Sequence, residues 1–278
     1  MKENWIFFGT DDFAVDALAE LNRHDWSPAL VITTPNTTYG RGLKLSPPPV
    51  KVWAEDHGLK TIQPTTTLET KTAIQNLKPQ FALVVAYGRI LPAEIFFLPK
   101  RGTINLHPSL LPKYRGPAPI QTAIINGDTE TGVTVMLVDE KVDHGPIIAQ
   151  TTYNLEPITY NLVGKALAKL GAELLVKTIP DWLASKIKPR EQNHNLASFT
   201  KKIKKEDGEI KLTDNPELNW RKFRAYTPNP GSYFFTDDGT RVKITAAEFK
   251  HGEFIITRVI PANKKEMPYP AFLRGHSS

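Results

Sequence analysis

The sequence predicts an α/β protein, a mostly parallel sheet with flanking helices followed by a small β-rich domain. Three observations lead there. Over the first 150 residues, short apolar runs alternate with segments of helical spacing. Residues 185–200 are polar and poorly periodic, as a linker would be. Beyond residue 201 the pattern turns to strands punctuated by glycine turns. The 278 residues are therefore expected to form a domain at 1–184, a linker at 185–200 and a compact domain at 201–278.

Taken in order, "WIFFG" reads as a strand and "DDFAVDALAELNRH" as a helix, since Phe13, Ala17, Leu18 and Leu21 recur at helical spacing. Thr10 or Asp11 would cap that helix. "PALVIT" is the next strand, and the prolines of "PPPVKVWAEDHGL" stand just ahead of a helix start. "LETKTAIQNLKP" is a helix feeding the strand "FALVVA"; "RGTINLH" is a further strand. "GPAPIQTAIINGD" is a helix closed by Gly127, and "GVTVMLVDE" and "GPIIAQTTYNL" are strands. The longest helical pattern starts at "TYNLVGKALAKL", with Leu162, Ala166, Leu170 and Leu174 on one face and Pro180 expected to end or kink it. In the last part, hairpins are expected to turn at Asp238-Gly239 and His251-Gly252. Repeated strand, helix, strand calls for a sheet covered by helices, whose ligands bind past the carboxyl ends of the strands. Gly9, Tyr87 and His107 fall on that rim.

Composition narrows the classes of function. Without cysteine, disulfides and thiolate zinc sites are excluded. The run "FALVVA" is far short of the about 20 residues that span a bilayer. The opening "MKENWIFFGTDDFA" is too briefly apolar for a signal peptide and too acidic for a transit peptide, so a cytoplasmic protein is expected. The net charge of +6 is concentrated: residues 201–278 hold 15 Lys/Arg against 10 Asp/Glu, the first 200 residues 20 against 19. A basic end on a neutral body fits a polyanion partner, or no more than a solvated surface. "FFGTDDFA" has one glycine where a dinucleotide fingerprint has three, so it reads as a tight turn into a helix.

Reactive side chains gather in "NLHPSLLPKYRGPAP". Asn105 and His107 are two apart in a strand and so share a face. Asp143, in "EKVDHGP", follows the strand "GVTVMLVD" and is expected at the same rim. An amide donor, an imidazole and a carboxylate suit acyl transfer: one stabilises an oxyanion, one moves protons, one orients the imidazole. No serine or cysteine stands in a nucleophile elbow, which favours direct attack by the substrate. His144 beside Asp143 leaves metal ligation open as a lesser reading, and no metal is expected.

The stretch from Asn105 to Ile148, with its Asn, His, Ser-Leu-Leu-Pro and later Asp, resembles the folate-dependent formyltransferases. "GRGLKLSPPPVKVWAEDHGL", "VVAYGRILP", "FTKKIKKEDGEI", "RAYTPNPGSY" and "AFLRG" extend the likeness nearly end to end, toward members that act on aminoacyl-tRNA. The resemblance implies a Rossmann-like catalytic domain and a small OB-like β-barrel that helps hold tRNA. It implies transfer of the formyl group of 10-formyltetrahydrofolate to the α-amino group of methionyl initiator tRNA, through a tetrahedral intermediate, by a monomer.

By the same resemblance Asn105, His107 and Asp143 are catalytic, and Ser109, Leu110, Leu111 and Pro112 form the folate loop. Tyr87, Arg89 and Ile90 stand on the facing wall. Arg41, Lys44 and Lys51, in a basic loop without acids, and Lys201, Lys202 and Lys204 would contact tRNA. Two departures stand out: Asp11 replaces a usual proline, and the second domain is shorter than usual. A sugar nucleotide or glycinamide ribonucleotide is the alternative acceptor, hydrolysis of formyl-folate a second rival, and an RNA-binding protein without chemistry a rival of another class.

Overall fold

Strand β1 (Trp5–Gly9) is apolar nearly throughout because helices cover both faces of the sheet; all five residues are buried. This computed structural model describes residues 4–39 and 44–275. The chain divides into two compact units, one of residues 1–115, 132–153 and 164–199, the other of 116–131, 154–163 and 200–278.

After β1 come α1 (Asp12–Arg23), β2 (Leu30–Ile32), the short pair β3 (Thr37–Tyr39) and β4 (Lys44–Ser46), and α2 (Pro49–Asp56). Next are β5 (Thr61–Ile62), α3 (Thr67–Leu77), β6 (Phe81–Val85), α4 (Ala93–Phe96) and β7 (Thr103–His107). Then follow α5 (Pro119–Asn126), β8 (Glu130–Leu137), β9 (Ile147–Asn154) and α6 (Tyr160–Leu183). Seven strands form one sheet in the order β5-β2-β1-β6-β7-β8-β9. β5, β2, β1, β6 and β7 run parallel, and β8 pairs antiparallel with β7. Strand order reverses between β1 and β6, the switch point at whose carboxyl ends such sheets bind ligands.

Local chemistry explains the element ends. Asp11, not Thr10, caps α1, accepting from Ala14 N at 3.1 Å; the Thr10 hydroxyl donates to Tyr87 O at 2.7 Å and ties the β1 and β6 rims together. Gly127 closes α5 at φ 71°. Helix α6 departs from expectation twice. It runs three residues past Pro180, which forfeits one main-chain bond near the helix end where the loss is small. It also buries Val163, Leu167, Ala168, Ala172, Leu175 and Ile179 rather than the face of Leu162, Ala166, Leu170 and Leu174. Apolar residues cover most of this helix, and the small ones choose the inner side. A Cβ on Gly171 would lie 2.6 Å from Leu106 Cδ2, so glycine lets α6 lie close on β7.

The second unit holds α7 (Pro216–Tyr226), β10 (Tyr233–Phe235), β11 (Arg241–Lys250), β12 (Glu253–Pro261), β13 (Met267–Pro268) and α8 (Tyr269–Arg274). The four strands form an antiparallel sheet in sequence order. Its core joins Phe223, Phe234, Val242, Ile244, Val259 and Phe272. His251 and Gly252, at φ 53° and 82°, make the β11–β12 turn where expected. Successive left-handed residues match the twist of the flanking strands. Among the described residues no helix is long and apolar enough to cross a membrane.

Candidate active site

Strand β7 presents Asn105 and His107 on one face by its alternation, with Asn105 opposite Val84 on β6 and Met136 on β8, and His107 opposite Thr134. Asp143 arrives by an unexpected route. Because β8 is antiparallel to β7, it ends beside Ile104, toward the amino end of β7. The loop 138–146 then doubles back, with Leu137 N donating to Pro146 O at 2.9 Å. Gly145 makes that fold possible, since a Cβ there would lie 2.1 Å from Leu137 O. The return brings Asp143 Oδ1 to 3.4 Å from Asn105 Nδ2 and 3.6 Å from His107 Nδ1.

The imidazole is buried, at 5% exposure. His107 Nε2 lies 3.0 Å from Tyr114 O. A carbonyl can only accept, so Nε2 carries a hydrogen and Nδ1 is the nitrogen turned to Asp143. Tyr114 and Asp143 both have positive φ, 63° and 49°, conformations that surroundings must impose on side-chain-bearing residues.

The 108–113 loop is braced from within and from strands β8 and β9. The Ser109 hydroxyl donates to Lys113 O at 2.6 Å and is fully buried. Thr134 Oγ1 donates to Ser109 O at 2.6 Å and accepts from Leu111 N at 3.2 Å. Gln150 Nε2 adds bonds to Leu111 O and Thr134 Oγ1 at 3.0 and 2.8 Å. Leu111 is buried with Met136 and Ile147, and Leu110 lies against Gly132. Leu111 thus packs into the protein, while Leu110 and Pro112 stay half-buried.

The other residues expected at the site lie as follows. The Tyr87 ring sits in the apolar cluster with Ile6, Phe8 and Ile95, and burial pushes its hydroxyl pKa up. Arg89 and Ile90 are exposed, Ile90 at 91%. Lys51 donates to Gln63 Oε1 at 2.7 Å. Lys44 opens β4, and Arg41 lies outside the described residues. Lys201, Lys202 and Lys204 are exposed in the second unit.

Residues without a sequence signal complete the surroundings. Arg115 and Gln192 are both buried, and Arg115 Nη2 also lies 2.8 Å from His194 Nδ1. Burial pulls the Arg115 pKa down, while Asp143 and Asp139 support its charge. His194 stacks on His144, centroids 4.0 Å apart, and His144 Nδ1 is 2.7 Å from Asp139 Oδ2. Burial chiefly, then His144 and Arg115, lowers the pKa of His194. Among the described residues no group of three acids and histidines is arranged to hold a metal ion. An apolar groove of about 610 Å³ between α3 and the β2–β5 edge, lined by Leu30, Ile62, Leu68 and Ala73, shares no residue with this cluster.

The pattern that defines the formyl transferase family matches residues 2–179, and that of the formyl transferase C-terminal domain matches residues 202–255. The chain belongs to the formyltransferase family. Curated formyltransferase relatives include the methionyl-tRNA formyltransferase of Chloroflexus aggregans, 42% identical over 97% of this chain and 96% of its own length. That of Geobacter sulfurreducens is 37% identical over 90% and 81%. Solved structures share the fold. Methionyl-tRNA formyltransferase from Clostridium thermocellum has a TM-score of 0.64 at 18% identity, over 93% of this chain and 98% of that one. HypX from Aquifex aeolicus, solved with tetrahydrofolic acid, has a TM-score of 0.71 at 16% identity; this chain spans 98% of itself but about half, 47%, of HypX. At such identities the structural likeness speaks for the fold alone.

Proposed function

We propose that this formyltransferase moves the formyl group of 10-formyltetrahydrofolate onto the α-amino group of methionyl initiator tRNA, in the cytoplasm. The observation that carries the reading is the convergence of Asn105 Nδ2, His107 Nδ1 and Asp143 Oδ1 within 3.4–3.6 Å, in a chain whose relatives bear that activity in their names. The co-substrate supplies a carbonyl whose oxygen gains negative charge as an amine attacks. Asn105 Nδ2 and a protonated His107 Nδ1 are the donors for that oxygen. The Asp143 carboxylate stabilises the imidazolium and takes the proton that the attacking amine must lose. As the intermediate collapses, the bond from the formyl carbon to N10 breaks, that proton passes to N10 and tetrahydrofolate leaves. A free α-amino group has a pKa of about 8, so a base that strips it of its proton widens the reactive fraction at neutral pH.

For the folate, exposed Ile90 beside cationic Arg89, at the carboxyl end of β6, suits a flat ring with an anionic tail. The braced Ser109–Pro112 main chain supplies the opposing edge. We assign chemistry to residues 1–184 and tRNA holding to 201–278, with Arg41, Lys44, Lys51, Lys201, Lys202 and Lys204 toward the phosphates.

The test is transfer from radiolabelled 10-formyltetrahydrofolate to Met-tRNA, initiator against elongator, with an amino-sugar nucleotide as the competing acceptor. Formylation of the sugar and not of Met-tRNA would overturn the acceptor. Release of formate with no acceptor would make the protein a hydrolase. Arg41→Ala should raise the KM for Met-tRNA and leave folate binding intact; an equal loss of both would remove Arg41 from tRNA recognition.

A further inference from the structure

Residues 185–200 read as a linker in the sequence, yet from here a side chain reaches the loop that carries Asp143. Gln192 is 5% exposed, and its partners fix which way its amide faces. Arg115 has only donors, and its Nε and Nη2 lie 3.2 and 2.7 Å from Gln192 Oε1. The amide oxygen therefore faces Arg115. That turns Nε2 toward two main-chain carbonyls, Asp143 O at 3.0 Å and Gly145 O at 2.8 Å. Both amide hydrogens are thus used on one loop, on either side of His144.

Asp143 needs such a hold. Its φ of 49° costs a non-glycine residue energy and persists only when surroundings impose it. Gly145 fixes one side of the loop by its close approach to Leu137 O. The Gln192 bonds close the other side. The backbone of 190–198 is itself anchored, Arg190 and Ile147 exchanging bonds at 2.7 Å and Arg115 N donating to Ser198 O at 2.8 Å. Gln192 is therefore a fixed post and not a mobile surface amide.

We propose that Gln192, oriented by Arg115, is a positioning residue for formyl transfer: it holds the Asp143 backbone in the conformation that turns its carboxylate to His107 and Asn105. The proposal rests on the reading that Asp143 takes part in transfer. Gln192→Glu keeps an acceptor for Arg115 and removes both donors to the loop. It should lower kcat about 10- to 100-fold, the scale of an ångström's misplacement. The KM values for both substrates should stay within about threefold, since only the transition state is affected. Gln192→Met, similar in length and uncharged, should lose at least as much.

The decisive measurement is the double variant of Gln192→Glu with Asp143→Asn. If Gln192 acts through Asp143, the double variant is no slower than Asp143→Asn alone. Additive losses would overturn the proposal, as would a Gln192→Glu kcat within about twofold of the parent, or a raised KM with kcat unchanged. Should both Gln192 variants fail to fold by thermal melting, the residue holds the fold and the proposal falls. If Asp143→Asn is slow while Gln192→Glu is not, only this proposal fails. If Asp143→Asn is itself fully active, the reading of the site fails and takes the proposal with it.

Discussion

Two segments of the first unit hold the reacting cluster, and they do so by opposite means. The 108–115 segment is stiffened along its own length, by Pro108 and Pro112, by the Ser109 hydroxyl on Lys113 O and by Lys113 N on Leu110 O. It presents a main-chain carbonyl, Tyr114 O, to His107. The 190–199 segment instead presents a side chain, Gln192, to a backbone 49 positions away. The imidazole is thus oriented by local chain stiffness, while the carboxylate is oriented by a contact between distant parts of the sequence. One support is shared among several bonds; the other can be cut by a single side-chain change.

The largest effect should come from removing what the two segments support. His107→Ala and Asp143→Asn should each lower the single-turnover transfer rate about 10²–10³-fold, the first by losing an oxyanion donor and the second by losing the base. A loss below tenfold in either would end its assignment. Asn105→Ala belongs in the same range, and its loss should appear in kcat with little change in KM.

Breaking the supports comes next. Thr134 is fully buried and serves Ser109 O, Leu111 N and Gln150 together. Thr134→Val leaves buried main-chain groups without this partner and should cost about 1–3 kcal/mol in urea unfolding. Ser198 Oγ accepts from Tyr114 N at 2.9 Å across the two segments. Ser198→Ala should cost about 1 kcal/mol, because one bond at a partly buried site is lost. If Ser198→Ala proves the more damaging, the first segment depends on the second and the contrast between them collapses.

The same contrast decides what the sequence made legible. Strands β1 and β6 were readable because burial on both faces leaves near-continuous apolar runs. The face shared by Asn105 and His107 followed from the two-residue period of a strand, and the His251-Gly252 turn from its hairpin chemistry. The inner face of α6 was not readable, since leucines on its outer side compete with the glycine and alanines that pack inward. Nor was the path of Asp143, which depends on the antiparallel direction of β8, a property of pairing and not of the strand's own residues. Gln192 had no signal at all: a polar residue in a polar stretch acquires its meaning only from Arg115 and the Asp143 loop. Tyr87 shows the converse, a residue placed correctly on the rim whose ring turns into the core.

The smallest effect tests a purely local feature at the same rim. Asp11 caps α1, and its carboxyl lies against protein although the residue remains open to solvent. Desolvation, opposed by the Ala14 N–H and reinforced by Asp12, pushes its pKa up to about 6 from 3.8. A raised carboxyl pKa means that the folded protein holds this proton more tightly than the unfolded chain. The contribution therefore stabilises at low pH and is lost as pH rises from about 4 through 6. Asn is as good an N-cap as Asp and carries no charge. Asp11→Asn should match the parent near pH 4 and exceed its stability above pH 6, by less than about 1 kcal/mol because solvent and the helix dipole offset much of the penalty. Guanidinium unfolding across that range reads the difference. A gap that stays constant with pH would mean that the Asp11 charge is fully solvated, and that this cap is a matter of geometry alone.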